Sequence, residues 1–256
     1  MKFQMHHSGL LIVLLFTGIT TLFAQDTCLA GDCENGYGAL KCDCGYLYKG
    51  VFQDGEKKSG TLFKEELHYT GAFQQDMPWG SGAVYFADSS SYRGEFQAAA
   101  PHGYGRYYLP AGKLYKGMMK DGDFNGFGVL LRDSTNFSTF YAGEFQNDLE
   151  NGFGMKRSGD TVTFGKFKKG TLKYGWIGVK TGAETMTWIR SGKGFDQEPE
   201  FWHEQADDYM WVKFPDEGVD FFVKKGEFVE FSGPEGIIHR LYTDLKTPPQ
   251  FIPKNR

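Results

Sequence analysis

The chain has 256 residues, 35 of them glycine and 17% of them aromatic, and carries a formal net charge of −4. The length allows a real core in one or two domains. The glycines do not recur at every third position, which excludes a collagen helix, and residues 45–170 sum to only +1, which excludes a polybasic surface for nucleic acid.

The chain opens with Lys2, His6 and His7, followed by an apolar run from Leu10 to Phe16 that continues weakly to Phe23. Ala24 then precedes the polar Gln25 and Asp26. This order predicts a signal peptide over 1–24 and an exported protein, periplasmic or secreted. The run is short for a membrane-spanning helix, and Gly18, Thr20 and Thr21 dilute it. The residues before Cys28 are not the small apolar ones of a lipoprotein signal. A retained membrane anchor is the alternative.

Residues 25–44 form a cysteine-rich N-terminal cap with all four cysteines, Cys28, Cys33, Cys42 and Cys44. In an exported chain these are disulfide candidates. Cys42 and Cys44, on one side of a strand, are expected to pair with Cys28 and Cys33 in an order left open, closing the end of the sheet. A zinc site of four thiolates is the rival, with spacings of five, nine and two that do not form pairs of C-x-x-C.

From residue 45 to 175 one pattern recurs. A strand of Tyr-x-Gly-x-aromatic appears as Tyr48-Gly50-Phe52, Tyr69-Gly71-Phe73, Tyr92-Gly94-Phe96 and Tyr141-Gly143-Phe145, with a variant at Tyr115-Gly117-Met119 and a degenerate copy around Gly165. The central glycines lie 21, 23, 23, 26 and 22 residues apart. A second series, Gly38, Gly60, Gly82, Gly105, Gly128, Gly154 and Gly175, keeps the same phase through the long step of 26. Residues i, i+2 and i+4 of a strand share a face. Tyr, Gly and Phe are therefore expected on the packed face, with the bare glycine under an aromatic ring of the next unit. Lys49, Arg93, Glu95, Lys116 and Glu144 are expected on the wetter face. Asp54-Gly55, Asp121-Gly122 and Lys169-Gly170 supply tight turns. Each unit reads as one β-hairpin that buries its aromatic face only by stacking on its neighbours.

Residues 176–256 lose the phase but hold four of the five tryptophans. Alternation over Tyr209–Phe214, Val219–Val223 and Phe228–Phe231 predicts strands, with a turn at Lys224-Lys225-Gly226. Phe195–Asp208 reads as an acidic loop or short helix, and Thr247–Arg256 as a flexible end. Hairpins continuing the sheet and then a cap are favoured for this divergent, β-rich part.

The Tyr-x-Gly-x-Phe strand, glycine turn and Gly-x-Gly return resemble the MORN repeat. Five copies between about Gly45 and Gly154 carry the resemblance, with degenerate copies at each end. It implies an all-β fold, an elongated antiparallel sheet of stacked hairpins with a groove. It also implies a role as scaffold, partner-binding or dimerising module, or membrane-apposed module.

No nucleophile elbow or phosphate loop occurs. His203-Glu204-Gln205-Ala206-Asp207 partly resembles a metalloprotease helix, but an acidic loop accounts for it better. The reading is a non-enzymatic scaffold or binding protein without a cofactor or metal. Its partner is an unidentified protein or a second copy of itself. Peripheral membrane contact is possible but not favoured, since the repeat region is near neutral. A targeting arm attached to an enzyme or binding domain in 176–256 is the remaining alternative.

Overall fold

The computed structural model describes residues 26–132, 138–182, 186–193, 199–204, 209–214, 219–224, 228–232 and 238–242. The expected signal peptide, the turn at Lys225-Gly226 and the end from Thr247 lie outside them. The described chain is almost entirely β-structure, with one 3-10 turn at Pro110–Gly112.

Fifteen strands hydrogen-bond to their chain neighbours in order. The first eight are β1 (Thr27–Gly31), β2 (Tyr37–Lys41), β3 (Leu47–Gln53), β4 (Glu56–Lys64), β5 (Leu67–Gln74), β6 (Met77–Phe86), β7 (Ser91–Gln97) and β8 (Ala100–Leu109). The other seven are β9 (Lys113–Lys120), β10 (Asp123–Leu131), β11 (Thr139–Gln146), β12 (Leu149–Ser158), β13 (Thr161–Lys168), β14 (Thr171–Lys180) and β15 (Met186–Ser191). A second, antiparallel sheet takes β16 (Glu200–Glu204), β17 (Tyr209–Phe214), β18 (Val219–Lys224), β19 (Phe228–Ser232) and β20 (Ile238–Tyr242). Beyond Gly175 the chain thus adds a last hairpin strand and then a separate sheet. The expected loop or helix at Phe195–Asp208 instead contains β16, whose residues pair with β17 from Glu200↔Lys213 to Glu204↔Tyr209. Two compact units divide the chain: 1–110 with 118–123, and 111–117 with 124–256. Each is described by itself below.

Six hairpins close through two residues with positive φ at both: Asp54-Gly55, Gln75-Asp76, Ala98-Ala99, Asp121-Gly122, Asn147-Asp148 and Lys169-Gly170. Their twist matches the strands they join. Ala98-Ala99 lacks the usual Asn or Gly, and each alanine there is strained by about 1 kcal/mol. Successive turns also tie to one another. Gly55 N donates to Glu34 O at 3.0 Å, Ala99 N to Pro78 O at 3.0 Å, and Gly170 N to Glu150 O at 2.8 Å. On the opposite edge, Ala87 N donates to Glu66 O at 2.9 Å. Each hairpin therefore satisfies backbone groups of its neighbour, as a repeat stack requires.

The two glycine series meet. In the first unit the register aligns Gly38↔Gly50, Gly50↔Gly60, Gly60↔Gly71, Gly71↔Gly82, Gly82↔Gly94 and Gly94↔Gly105. In the second unit it aligns Gly128↔Gly143, Gly143↔Gly154, Gly154↔Gly165 and Gly165↔Gly175. At the pairs Gly71–Gly82, Gly94–Gly105 and Gly143–Gly154 the covering ring belongs to the tyrosine two residues before the first glycine in its own strand, not to the next unit as expected. A Cβ added at Gly82 would collide with Tyr69, at Gly105 with Tyr92, and at Gly154 with Tyr141. Tyr and Gly share a face, so the side chain folds along its own strand onto the space the glycine leaves.

A bulge completes this arrangement. In the pairing of β5 with β6 the ladder skips between Gly71 and Phe73, and that of β11 with β12 skips between Gly143 and Phe145. The skipped residue's carbonyl is taken by the tyrosine hydroxyl: Tyr69 Oη donates to Ala72 O at 2.8 Å and Tyr141 Oη to Glu144 O at 3.0 Å; Tyr92 Oη donates likewise to Glu95 O at 2.9 Å, where the bulge is on the partner strand β8. The phenylalanine of the following unit then packs edge-on against the same ring. The Tyr48–Phe73 centroids lie 5.2 Å apart, Tyr69–Phe96 4.9 Å and Tyr141–Phe167 5.2 Å, all T-shaped. Such pairs add to the burial of each ring.

The cysteines join as Cys28–Cys33 and Cys42–Cys44, not across the two pairs as expected. Cys42 and Cys44 lie in the turn between β2 and β3, where Gly45 N donates to Cys42 O at 3.0 Å, rather than in one strand. The turn folds their Cα atoms to 5.0 Å. Cys33 sits in the loop just after β1, with its Cα 6.1 Å from that of Cys28. Both bridges therefore close short local loops.

Candidate binding face

Tyr48, Tyr69, Tyr92, Tyr115 and Tyr141 are buried, as are Phe52, Phe73, Phe96, Met119 and Phe145. Gly50, Gly71, Gly94, Gly117 and Gly143 lie beneath them. The repeat residues thus form the core of one face, and none of these rings is offered to a partner.

Burial raises the tyrosine phenols. Tyr48 is pushed up to about 12, chiefly by desolvation, from an ordinary value of 10.0. Tyr69, Tyr92 and Tyr141 are raised as well, for the same main reason. The neutral phenol is the folded form, so this contribution is fully present below pH 10. Above it the unfolded chain ionises first, and the contribution is lost as pH climbs toward the folded value. The part of the tyrosinate absorbance that Tyr48→Phe, Tyr69→Phe, Tyr92→Phe or Tyr141→Phe removes should therefore appear only together with loss of the sheet signal, near pH 12 for Tyr48. Ionisation of these buried phenols with the sheet intact would contradict this.

The opposite, outer face differs between the two units. In the second unit one cross-strand row reads Val129–Ala142–Met155–Phe164–Trp176. All five are buried. Phe164 lies 5.9 Å from Trp188 and 5.7 Å from Phe221 of β18, so part of the second sheet covers this row. Lys116, expected on the wet face, is 1% exposed. An outer face that is itself packed leaves its stem no route to water.

In the first unit the same row is Lys49–Thr61–Thr70–Ala83–Arg93–Arg106, and it is mostly open. The hydroxyls of Thr61 and Thr70 hydrogen-bond at 3.2 Å. Two residues along each strand, about 7 Å away, runs a second row, Leu47–Phe63–His68–Tyr85–Ser91–Tyr108. Phe63 is 42% exposed, Tyr85 40% and Tyr108 37%. Phe63 and His68 stack at 6.2 Å, and His68 and Tyr85 at 4.7 Å with 17° between planes. Lys49 Nζ lies 6.0 Å from the Phe63 centroid. This is an upright aromatic ridge beside a polar, cationic row. Next to Arg93 a concavity of about 440 Å³ is floored by Gly82 and Gly94 and lined by Thr70, Ser81, Glu95 and Tyr104.

The Tyr-x-Gly-x-Phe pattern marks the packed face and not these surface residues. A signal for them exists: Phe63, Tyr85 and Tyr108 each stand three residues after Gly60, Gly82 and Gly105. His203 and Glu204 belong to a strand, not a helix, and Asp207 lies outside the described residues. Among the described residues no group of three His, Cys, Asp or Glu is placed to hold a metal ion, and no helix is long and apolar enough to cross a membrane.

A family model described as the MORN repeat matches residues 69–91, 92–113, 115–135 and 141–161. No curated protein matches the chain. Among solved structures, the chain is similar to the wild-type TCP10 domain of Danio rerio CPAP, solved in complex with a peptide of Danio rerio STIL. Identity there is 12%, over 86% of this chain and 84% of that one, with a TM-score of 0.30.

Proposed function

We propose, on the premise that this chain is a MORN-repeat protein, that it is an exported, non-enzymatic scaffold that holds a protein partner on the outer face of β3–β8. One observation carries the reading: rings and cations that the repeat does not need for packing stand together in water there. Tyrosine and arginine are the side chains most often found at the centre of protein interfaces. The tyrosine–glycine core supplies the rigid sheet on which they stand. Two disulfides in the cap favour a non-reducing compartment, consistent with export.

The test uses the full mature chain and an outer-face variant, Tyr85→Ser with Arg93→Glu, immobilised against envelope extract of the exporting cell. The variant should melt like the parent, because both positions are exposed, yet lose the parent's specific partner. An identical set of captured proteins would sink the reading. Sedimentation of each form checks whether the partner is a second copy.

A further inference from the structure

The two bridges of the cap have different surroundings. Cys28–Cys33 spans five positions and ties β1 to the loop behind it. It is also packing: a Cβ added at Gly38 would lie 2.8 Å from Cys33 Sγ, so the sulfur fills the space beside that glycine. Cys42–Cys44 spans two positions, all inside the β2–β3 turn. That turn is already closed by its backbone, because Cys42 N donates to Tyr46 O at 2.9 Å and Gly45 N to Cys42 O at 3.0 Å. A bridge across so short a loop removes little freedom from the unfolded chain. The strands on either side are joined without it, from Tyr37↔Val51 to Lys41↔Leu47.

The two sulfurs of this second bridge are unequal. Cys44 is exposed, whereas Cys42 is 6% exposed. The flank of Cys44 is clear: a Cβ added at Gly45 would meet nothing within 4 Å. An incoming thiolate therefore has a path to Cys44 Sγ, while Cys42 is nearly closed to it. On the far side of the bond, Cys44 N donates to Cys42 Sγ at 2.9 Å. A backbone N–H aimed at a sulfur favours its charged form, and a stabilised thiolate leaves faster. Exposed bridges are also the labile ones. Three consecutive residues thus hold an open sulfur to attack and a prepared leaving group behind it.

We propose that Cys42–Cys44 is a thiol–disulfide exchange site that passes its disulfide to a cysteine pair on a protein segment. One thiolate of the pair attacks Cys44 Sγ. A new S–S bond forms there, the Cys42–Cys44 bond breaks, and its electron pair leaves on Cys42 Sγ. The second thiolate of the pair then attacks the first sulfur of its own segment and expels Cys44 as thiolate. The segment loses two electrons and keeps a disulfide. This chain gains two electrons and holds two thiols, which take up the protons that the segment's thiols released. A single thiol does not complete the step, because Cys42, two residues away, attacks Cys44 again and expels it. The substrate class is therefore a dithiol. The transfer is stoichiometric, one bridge per chain, and uses no part of the outer face.

The experiment mixes the oxidised full mature chain, without air, with a synthetic peptide of Gly and Ser bearing two cysteines. A single-cysteine twin at twice the concentration is the control. Acid quenching, alkylation and fragmentation mass spectrometry report the state of each cysteine. Cys42 and Cys44 should open while Cys28 and Cys33 stay joined, with an equal amount of peptide oxidised. The peptide should be oxidised about three- to tenfold faster than by an equal concentration of oxidised glutathione, the effect of one hydrogen bond to the leaving thiolate. The early mixed disulfide should sit on Cys44. Asp43→Asn should quicken the exchange at low salt, since a carboxylate between the two sulfurs opposes both thiolates. The double variant Cys42→Ser with Cys44→Ser should melt like the parent and leave the peptide reduced.

The inference is overturned if Cys28–Cys33 opens as readily, or if the single-cysteine twin empties the bridge as fast as the dithiol. It is also overturned if the early adduct sits on Cys42, or if the chain oxidises the peptide no faster than oxidised glutathione does. None of these outcomes touches the binding face, because Tyr85 and Arg93 take no part in the exchange. Equally, capture that ignores Tyr85 and Arg93 would sink the binding face and leave the exchange site standing.

Discussion

Gly105→Ala should destabilise the protein by about 3 kcal/mol, at the upper end for an overpacked core, and most of that loss should vanish when Tyr92 is first cut to alanine. The three nearest atoms a Cβ would meet at Gly105 all belong to the Tyr92 ring. Tyr92→Ala alone should cost about 3–5 kcal/mol, since the ring is buried against Phe96 at 5.2 Å and Tyr107 at 6.2 Å. With the ring gone, adding the methyl at Gly105 should cost less than about 1 kcal/mol, a coupling of some 2 kcal/mol. Gly94→Ala is the contrast. Its Cβ would meet Tyr92 Oη but would also lie 2.6 Å from Gly105 Cα and from Tyr104 O. Backbone cannot be trimmed, so Tyr92→Ala should rescue it only in small part. Urea unfolding of the two cycles separates ring clash from backbone clash. Equal rescue of both glycine variants would mean that the glycine ladder is not held by close approach of the strands.

Tyr141→Ala should cost about 3–5 kcal/mol, whereas Tyr141→Phe should cost about 1 kcal/mol. The ring is fully buried and packs edge-on to Phe145 at 5.1 Å and Phe167 at 5.2 Å, so its removal opens a cavity shared by two units. The phenylalanine keeps those contacts and loses only the donation to Glu144 O. Repeat units touch chiefly their neighbours. Hydrogen exchange in Tyr141→Ala should therefore quicken in β11–β13 and stay at its parental rate in β3–β5. Uniform loss of protection along the chain would show one cooperative block instead of a stack.

Much of this was legible beforehand, for a physical reason. Strand residues alternate in direction, so Tyr, Gly and Phe at i, i+2 and i+4 had to share a face. Two glycine series drifting in phase had to belong to paired strands. The turn dipeptides with glycine were equally readable, because positive φ selects them. Gln75-Asp76 and Ala98-Ala99 adopt the same turn without that signature, held there by the pairing on either side and by neighbouring turns such as Pro78 with Ala99. The cysteine pairing differs from the expectation because Cys42 and Cys44 lie in a turn and not in a strand. A turn brings such close neighbours within reach of each other, and chain spacing alone does not distinguish the two cases.

The sequence by itself determined the hairpin unit, its phase and the residues of its packed face, since those follow from local periodicity and turn chemistry. What lies on the other face was decided only by tertiary structure. Lys49, Thr70, Arg93, Lys116, Ala142 and Phe164 occupy one equivalent position, just before each central glycine. In the first unit Lys49, Thr70 and Arg93 stand in water. In the second, Lys116, Ala142 and Phe164 are buried, and Phe164 meets Phe221 from a sheet more than fifty residues further along the chain. A contact so distant in sequence leaves no period to read. It sets which half of the repeat is core on both faces, and leaves the ridge of Phe63, His68 and Tyr85 with its cationic row open to a partner.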